Sequence, residues 1–435
     1  MVSDRAAPPK AAAEEHHPMH ADHEHPHPHP HAHHEHAHLH AAVRSRNHVA
    51  AQPEPGHGLT TRRQFFHFLM GSAIAGTSVL ELAAHRAAWA TAASATAAHH
   101  LFEIQKAAEG VYFAFAHPLA VINCNAAIFV RSRDVVVVDA HSRPSSAAAL
   151  LAQLRREVTD KPVRYLINTH CHWDHTQGDR AYLETGHKVD IIASRATKDL
   201  LEGKAPLQTK SPLDSVPQLI EDFAKRAERS SSTAEKAFCA EQIRQLQAYR
   251  EDMKQYRLEL PTITFEESYL LEDAAFDLHL EFHGRAHTAG DIFIYCPQRR
   301  ALASGDAIHC WLPNVADGYP RLWPHTIDAV AQLDFQYLLG GHGPMQSTRT
   351  IMRCQRNYIE ELVELVEVSK RAGQTLKEMQ QRLTVAKFKS LRSNGYGAFV
   401  ARTLAEDNTH FGPMPPLQND VNDNIRDVYN NLDRT

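Results

Sequence analysis

The sequence predicts an α/β sandwich with a helical insertion and further helices at its C-terminal end. Two observations carry that reading. From about residue 99, short apolar runs alternate with helix-period segments in a βαβ rhythm. Residues 203–262 then break the rhythm with a highly charged, sign-balanced stretch, after which strand-like runs resume.

In chain order, residues 111–115, 126–130 and 135–139 read as strands of an antiparallel meander. A helix opened by Ser145-Ser146 follows, with Ala149, Leu150, Leu151 and Leu154 on its apolar side. Next come a strand over 164–168, a His-rich turn, a short segment 181–183, a strand over 189–193 and a helix starting near Arg195. Within the insertion, Ile243, Leu246, Tyr249, Met253 and Tyr256 stand at helical spacing, so one or two helices are expected to pack over the core. Strands are expected again over 263–265, 278–282, 292–295 and 301–304. A C-terminal amphipathic helix carries Tyr358, Leu362, Leu365 and Val368, and the Asn- and Asp-rich tail after Gly412 reads as loosely ordered.

Composition excludes several functions. Lys plus Arg number 46 against 51 acidic residues, a net charge of −5 that argues against a dedicated nucleic-acid binder. No apolar run approaches the roughly 20 residues of a bilayer-spanning helix, and six irregularly spaced cysteines do not form a disulfide framework. Histidine is the outlier: of 32, 15 fall in the first 57 residues and 13 between residues 16 and 40. That stretch cannot bury a core and reads as disordered, either a loose metal-binding arm or a low-complexity extension. After it, Thr61-Arg62-Arg63-Gln64-Phe65-Phe66 leads into a mildly apolar run and small residues around Ala88-Trp89-Ala90 and Ala95-Thr96-Ala97. This is the layout of an export signal and resembles the twin-arginine type, with His67 where such signals often carry Lys. The resemblance implies a periplasmic or secreted protein, a translocon as transient partner, cleavage near residues 91–98 and no membrane anchor afterwards.

The chemistry concentrates in Asn168-Thr169-His170-Cys171-His172-Trp173-Asp174-His175-Thr176, entered directly from the apolar strand Tyr165-Leu166-Ile167. A core has no use for three histidines and an aspartate in six residues, because each buried polar group needs a partner. At a strand end, His170 and His172 point the same way at period two and can share a cation. Asp174 and His175 lie past the strand end, where they reach a second cation about 3.5–4 Å from the first. Cys171 is sent away from the cations and reads as a small buried residue, with Trp173 packing beneath the site.

This H-x-H-x-D-H run resembles the signature of the metallo-β-lactamase superfamily. The other elements of that pattern follow in order over roughly residues 105–345: His287 in His287-Thr288-Ala289-Gly290-Asp291, Asp306 in Ser304-Gly305-Asp306, and His342 in Gly341-His342-Gly343. The resemblance implies a four-layer αββα sandwich over residues 99–345, preceded by an extension (1–60) and a signal (61–98), and followed by helices (346–411) and a tail (412–435). It implies a first metal site of His170, His172 and His287 and a second of Asp174, His175 and His342, with Asp306 bridging. The metals would be two Zn²⁺, with Fe or Mn admissible on this N/O donor set. Asp291 is expected to orient a ligand from outside the ligand shell. The implied activity is hydrolysis of a small ester, lactone, thioester or β-lactam by a metal-bridged hydroxide, with Asp174 shuttling the proton. Asp306 places the chain nearer glyoxalase II and the acyl-homoserine lactonases than the β-lactamases proper, whereas export points the other way. His309, Trp311, Tyr319 and Arg321 are expected to border the substrate pocket, and His283 is a weaker candidate. Two alternatives remain: an iron-dependent oxidoreductase of the dioxygenase type and a non-enzymatic metal binder. Oligomeric state is not legible.

Overall fold

The computed structural model describes residues 101–117, 123–254, 256–407 and 417–434; the His-rich extension and the export signal lie outside these. Twelve strands form two sheets among the described residues. The first contains β1 (Phe102–Ala108), β2 (Val111–Ala116), β3 (Ala126–Val130), β4 (Val135–Val138), β5 (Val163–Ile167), β6 (Asp190–Ser194) and β7 (Ile263–Phe265), paired in that order. β1 to β4 are antiparallel, as the meander reading expects, and β4 to β7 are parallel. The second sheet runs β12 (Tyr337–Gly340), β11 (Ala301–Gly305), β10 (Phe293–Cys296), β9 (Leu278–Glu281) and β8 (Ser268–Leu271).

The facing surfaces of the sheets share one apolar layer. Phe113, Phe129, Val136, Val138, Ile167 and Ile192 from the first meet Leu278, Leu280, Ile294, Ala303 and Leu339 from the second. The outer face of the first sheet packs Ile128, Val135, Val137 and Leu166 against Leu150 and Leu154 of α1 (Pro144–Glu157). β4 therefore buries both faces, which is why its sequence is four consecutive valines rather than an alternation. The outer face of the second sheet, with Phe293, Leu302 and Leu338, is covered by C-terminal helices. The layer order is αββα.

Three features depart from the sequence reading. β1 and β8 went unread because each is an edge strand with one exposed side: β1 is FEIQKAA, and Leu270 of β8 is 48% exposed. After α2 (Trp173–Thr176) and α3 (Asp179–Leu183), the helix starting at Arg195 does not stop near 203. Capped by the Ser194 hydroxyl, α4 runs from Arg195 to Arg229 through Pro206, Pro212 and Pro217, and α5 (Thr233–Met253) returns beside it. The insertion is thus a two-helix hairpin.

The third correction concerns the tail. After α6 (Trp323–Val330), α7 (Thr350–Arg371), α8 (Leu376–Arg382), α9 (Lys389–Arg392) and α10 (Tyr396–Asp407), the chain closes with α11 (Leu417–Asn431). Val421, Ile425, Val428 and Leu432 form one buried face of this helix, spaced for 3.6 residues per turn and hidden among asparagines and aspartates. On α7, Tyr358 and Leu362 are buried as expected, but Val368 is 51% exposed. No helix among the described residues is long and apolar enough to cross a membrane, and no disulfide forms among them.

Candidate metal centre

The histidine-rich motif leaves β5 at Ile167 and forms bends, not strand, before α2 begins at Trp173. His170 and His172 nonetheless come together, their rings 4.8 Å apart and nearly perpendicular. His287 follows β9, Asp306 follows β11 directly and His342 follows β12, so the ends of three strands face the motif across one rim. The ligand atoms fall into three groups, each within 4.8 Å: His170, His172 and His287; Asp174, His175 and His342; and His170, His175 and Asp306. All seven side chains are at most 5% exposed.

His287 Nε2 lies 2.8 Å from His172 Nδ1. His342 Nε2 lies 3.1 Å from Asp174 Oδ2, and His175 Nε2 lies 3.5 Å from that oxygen. Asp306 stands between the groups: Oδ2 is 3.7 Å from His287 Nε2 and 3.4 Å from His342 Nε2, while Oδ1 is 3.4 Å from His175 Nε2. Gly341 permits this approach, because a Cβ there would strike Asp306 Oδ1 and His175 Cε1.

Four of the five imidazoles turn a ring nitrogen outward to a partner. Asp139 accepts from the Thr169 amide at 2.8 Å and from its hydroxyl at 2.9 Å and 3.0 Å, so Thr169 Oγ1 is left to accept from His170 Nδ1 at 2.9 Å. Asp139 Oδ2 also accepts from His175 Nδ1 at 2.9 Å. His172 Nε2 donates to Asp317 Oδ2 at 3.2 Å, and His287 Nδ1 to the Asn314 carbonyl at 3.0 Å. Each bond fixes a tautomer whose lone pair faces inward, the usual arrangement behind a metal-ligating imidazole. Inside, His170 Nε2, His175 Nε2 and Asp306 Oδ1 are buried and make no hydrogen bond among the described residues. Burial and the neighbouring His175 and His172 charges hold His170 well below the usual imidazole range. Burial opposes charge on Asp306, but His342 and His175 hold its carboxyl well below the carboxylate range. Neutral imidazole and ionised carboxylate are the forms that ligate. Burial opposes charge on His175 and His342, but Asp306 and Asp174 raise the first well above the usual imidazole range and the second to about 9, so a cation would displace their protons. The donor set fits divalent cations.

The model of the metallo-beta-lactamase superfamily matches residues 119–342, just over half of the chain. The chain belongs to that superfamily. Among solved structures, a metallo-beta-lactamase from Pontibacter korlensis is 17% identical with a TM-score of 0.44, over 60% of this chain and 99% of that one. A stereoselective inverting sec-alkylsulfatase, Pisa1 from Pseudomonas sp., is 16% identical with a TM-score of 0.52; the match covers 75% of this chain and 50% of that one. At such identities the likeness is one of fold.

The other residues singled out in this superfamily member divide sharply. Trp311 lies flat on His342, with centroids 4.1 Å apart and planes at 14°. His309 is buried beside it, its amide bonded to Gln355 and its Nδ1 accepting from the Trp311 amide, and burial pushes it down to about 4. Tyr319 and Arg321 are engaged by other parts of the chain. The guanidinium carbons of Arg285 and Arg434 each lie 5.1 Å from the Tyr319 ring centroid. Arg321 binds the Leu432 carbonyl at 2.8 Å and the Glu367 carboxylate at 3.2 Å. Leu432 and Arg434, just past the C-terminal helix, reach both. Asp291 touches no ligand; it accepts from the amide and hydroxyl of Thr288, fixing the turn after His287, and burial raises it to about 7. Cys171 is buried. Trp173 packs under the motif against Leu246 and Tyr249 of the insertion, and the Tyr249 hydroxyl reaches Gln177 at 3.2 Å. His283 pairs with Glu281 at 2.8 Å.

Asp139, Thr169 and Asn314 were missed, and Asp317, expected only as the start of a pocket-bordering segment, instead holds His172. Only Asp139 left a trace: a carboxylate directly after four buried valines.

Proposed function

We propose that this chain is a dinuclear metal-dependent hydrolase of small esters, lactones, thioesters or β-lactams. The observation that carries the reading is Asp306, one carboxylate set between two groups of ligands, its Oδ2 within 3.7 Å of His287 and 3.4 Å of His342. Such a bridge suits two cations better than one. Two divalent cations, Zn²⁺ on this N/O donor set, supply Lewis-acid polarisation of a substrate oxygen and a water acidic near neutral pH. His170, His172 and His287 hold one of them; Asp174, His175 and His342 hold the other. Asp174 also carries the proton onward to the leaving group. Trp311, half-buried over His342, offers an apolar contact to the substrate.

The test is hydrolysis by the full chain of lactone, aryl ester, thioester and β-lactam substrates, with a secondary alkyl sulfate added because an alkylsulfatase shares the fold. Chelation is expected to remove about two cations per chain and abolish hydrolysis, and Zn²⁺ to restore it. Hydrolysis indifferent to chelation overturns the reading. One iron per chain with oxygen consumption transfers it to the oxidoreductase class.

We further propose export through the twin-arginine route on the strength of Arg62-Arg63 and the small-residue sites beyond them. Replacing both arginines with lysine is expected to strand uncleaved protein in the cytoplasm, seen by fractionation and immunoblotting. Normal recovery outside the cytoplasm removes the proposal.

A further inference from the structure

Two of the three histidines of the first group are held from behind by one short loop. The Asn314 carbonyl receives His287 Nδ1, and the Asp317 carboxylate receives His172 Nε2. The loop is bonded within itself through Ala316 N to Asn314 Oδ1 at 2.9 Å and Gly318 N to the Val315 carbonyl at 2.9 Å. It is tied to the strand side through Tyr319 N to the Ala286 carbonyl at 2.8 Å. It is also gripped by residues at and just beyond the last turn of α11.

Asn431, at the last turn of α11, donates both protons of Nδ2, to the Val315 carbonyl at 3.1 Å and the Ala316 carbonyl at 2.8 Å. The next residue, Leu432, gives its carbonyl to Arg321, and Arg434 lies over Tyr319. Residues 431–434 therefore touch the loop at four places on either side of Asp317. Behind them the helix is fixed by its buried apolar face, by Asn424 donating to the Tyr358 hydroxyl at 3.1 Å and by Lys370 donating to the Tyr429 carbonyl at 3.1 Å.

We propose that α11 is a clamp on the first metal site, acting through Asn431 on the 314–317 loop. Asn431 is a positioning residue. It holds the carbonyl and carboxylate that set the tautomer and angle of His287 and His172, and the inference rests on the reading of those histidines as metal ligands. Loss of an outer partner of a ligating histidine lowers metal affinity 10–100-fold. Asn431 stands one bond further out, so Asn431→Ala is expected to weaken the first site about tenfold.

The experiment is chelator competition with Zn²⁺ on the full chain, resolving two dissociation constants; the one lost in His342→Ala belongs to the second site. Wild type is compared with Asn431→Ala, Asp317→Ala, their double mutant and Asn424→Ala, which loosens the same helix without touching the loop. The clamp predicts a tenfold weaker first site in Asn431→Ala, an unchanged second site, an unchanged first site in Asn424→Ala, and a double mutant weaker by less than the product of the two single effects. An unaltered first site in Asn431→Ala, equal weakening in Asn424→Ala, or strict additivity overturns it. Wild type that takes up no Zn²⁺ defeats the hydrolase reading and the clamp together. Wild type that takes up two, with Asn431→Ala unchanged, defeats the clamp alone.

Discussion

Asp306→Asn is expected to leave about one cation per chain where the wild type holds two, and to reduce hydrolytic turnover at least about 100-fold. The substitution keeps the shape and removes one negative charge from between the two ligand groups. The loss falls on the second site. The first is built on three imidazoles, with His172 and His287 nitrogens already 2.8 Å apart. The second has two imidazoles and Asp174, and depends more on shared charge. An outer-partner change alone costs 10–100-fold, so removing a ligand's charge should reach or exceed the upper end. The amide also presents an NH₂ group toward either His175 or His342, which offer inward lone pairs only in their ligating tautomers. Elemental analysis of the purified variant together with turnover on the best substrate checks this. Two cations retained at wild-type turnover would show that Asp306 does not bridge.

The features legible in the sequence are those whose signal is local. Four valines announce a strand buried on both faces, and three histidines and an aspartate within six residues have no structural use except ligation. His287, Asp306 and His342 each follow a strand-like run, and their order matches the pattern of the resembled superfamily, which located the site before any geometry did. What stayed hidden depends on distant partners. Asp317 carries no local sign of its role, because its meaning comes from His172, 145 residues away. α11 was read as loose because composition outweighed period: its asparagines and aspartates mask Val421, Ile425, Val428 and Leu432. The same segment brings Leu432 to Arg321 and Arg434 to Tyr319, contacts that carry no local sign in the sequence. The boundary drawn at residue 203 erred in the opposite sense, since one helix continues from Arg195 to Arg229.

Asp139→Asn should disable one metal site or the other, with turnover falling by about 10²–10⁴-fold. Asp139 follows the buried β4 at φ 67°, a left-handed conformation that aspartate tolerates better than most residues. The conformation aims one carboxylate at three donors: the Thr169 amide, the Thr169 hydroxyl and His175 Nδ1. An ionised carboxylate accepts from all three, whereas an amide has one accepting oxygen and must turn its NH₂ toward a donor. If NH₂ faces His175, the ring relieves the clash by moving its proton to Nε2, the atom 3.4 Å from Asp306, and a protonated Nε2 cannot ligate. If NH₂ faces Thr169, the Thr169 amide loses its acceptor and the residue whose hydroxyl accepts from His170 Nδ1 is displaced, so the first site loosens instead. Either way one carboxylate has been setting tautomers on both sides. Outer partners of metal ligands are worth 10–100-fold, and an orienting aspartate changed to asparagine in a hydrolytic triad costs about 10⁴ by trapping the wrong tautomer, which brackets the expectation. Stability should fall by only about 1–3 kcal/mol for the mispaired buried donor. Circular dichroism should therefore show a folded protein while chelator competition shows at least one zinc constant weakened. A variant that binds two cations as tightly as wild type would mean that Asp139 merely closes the end of β4.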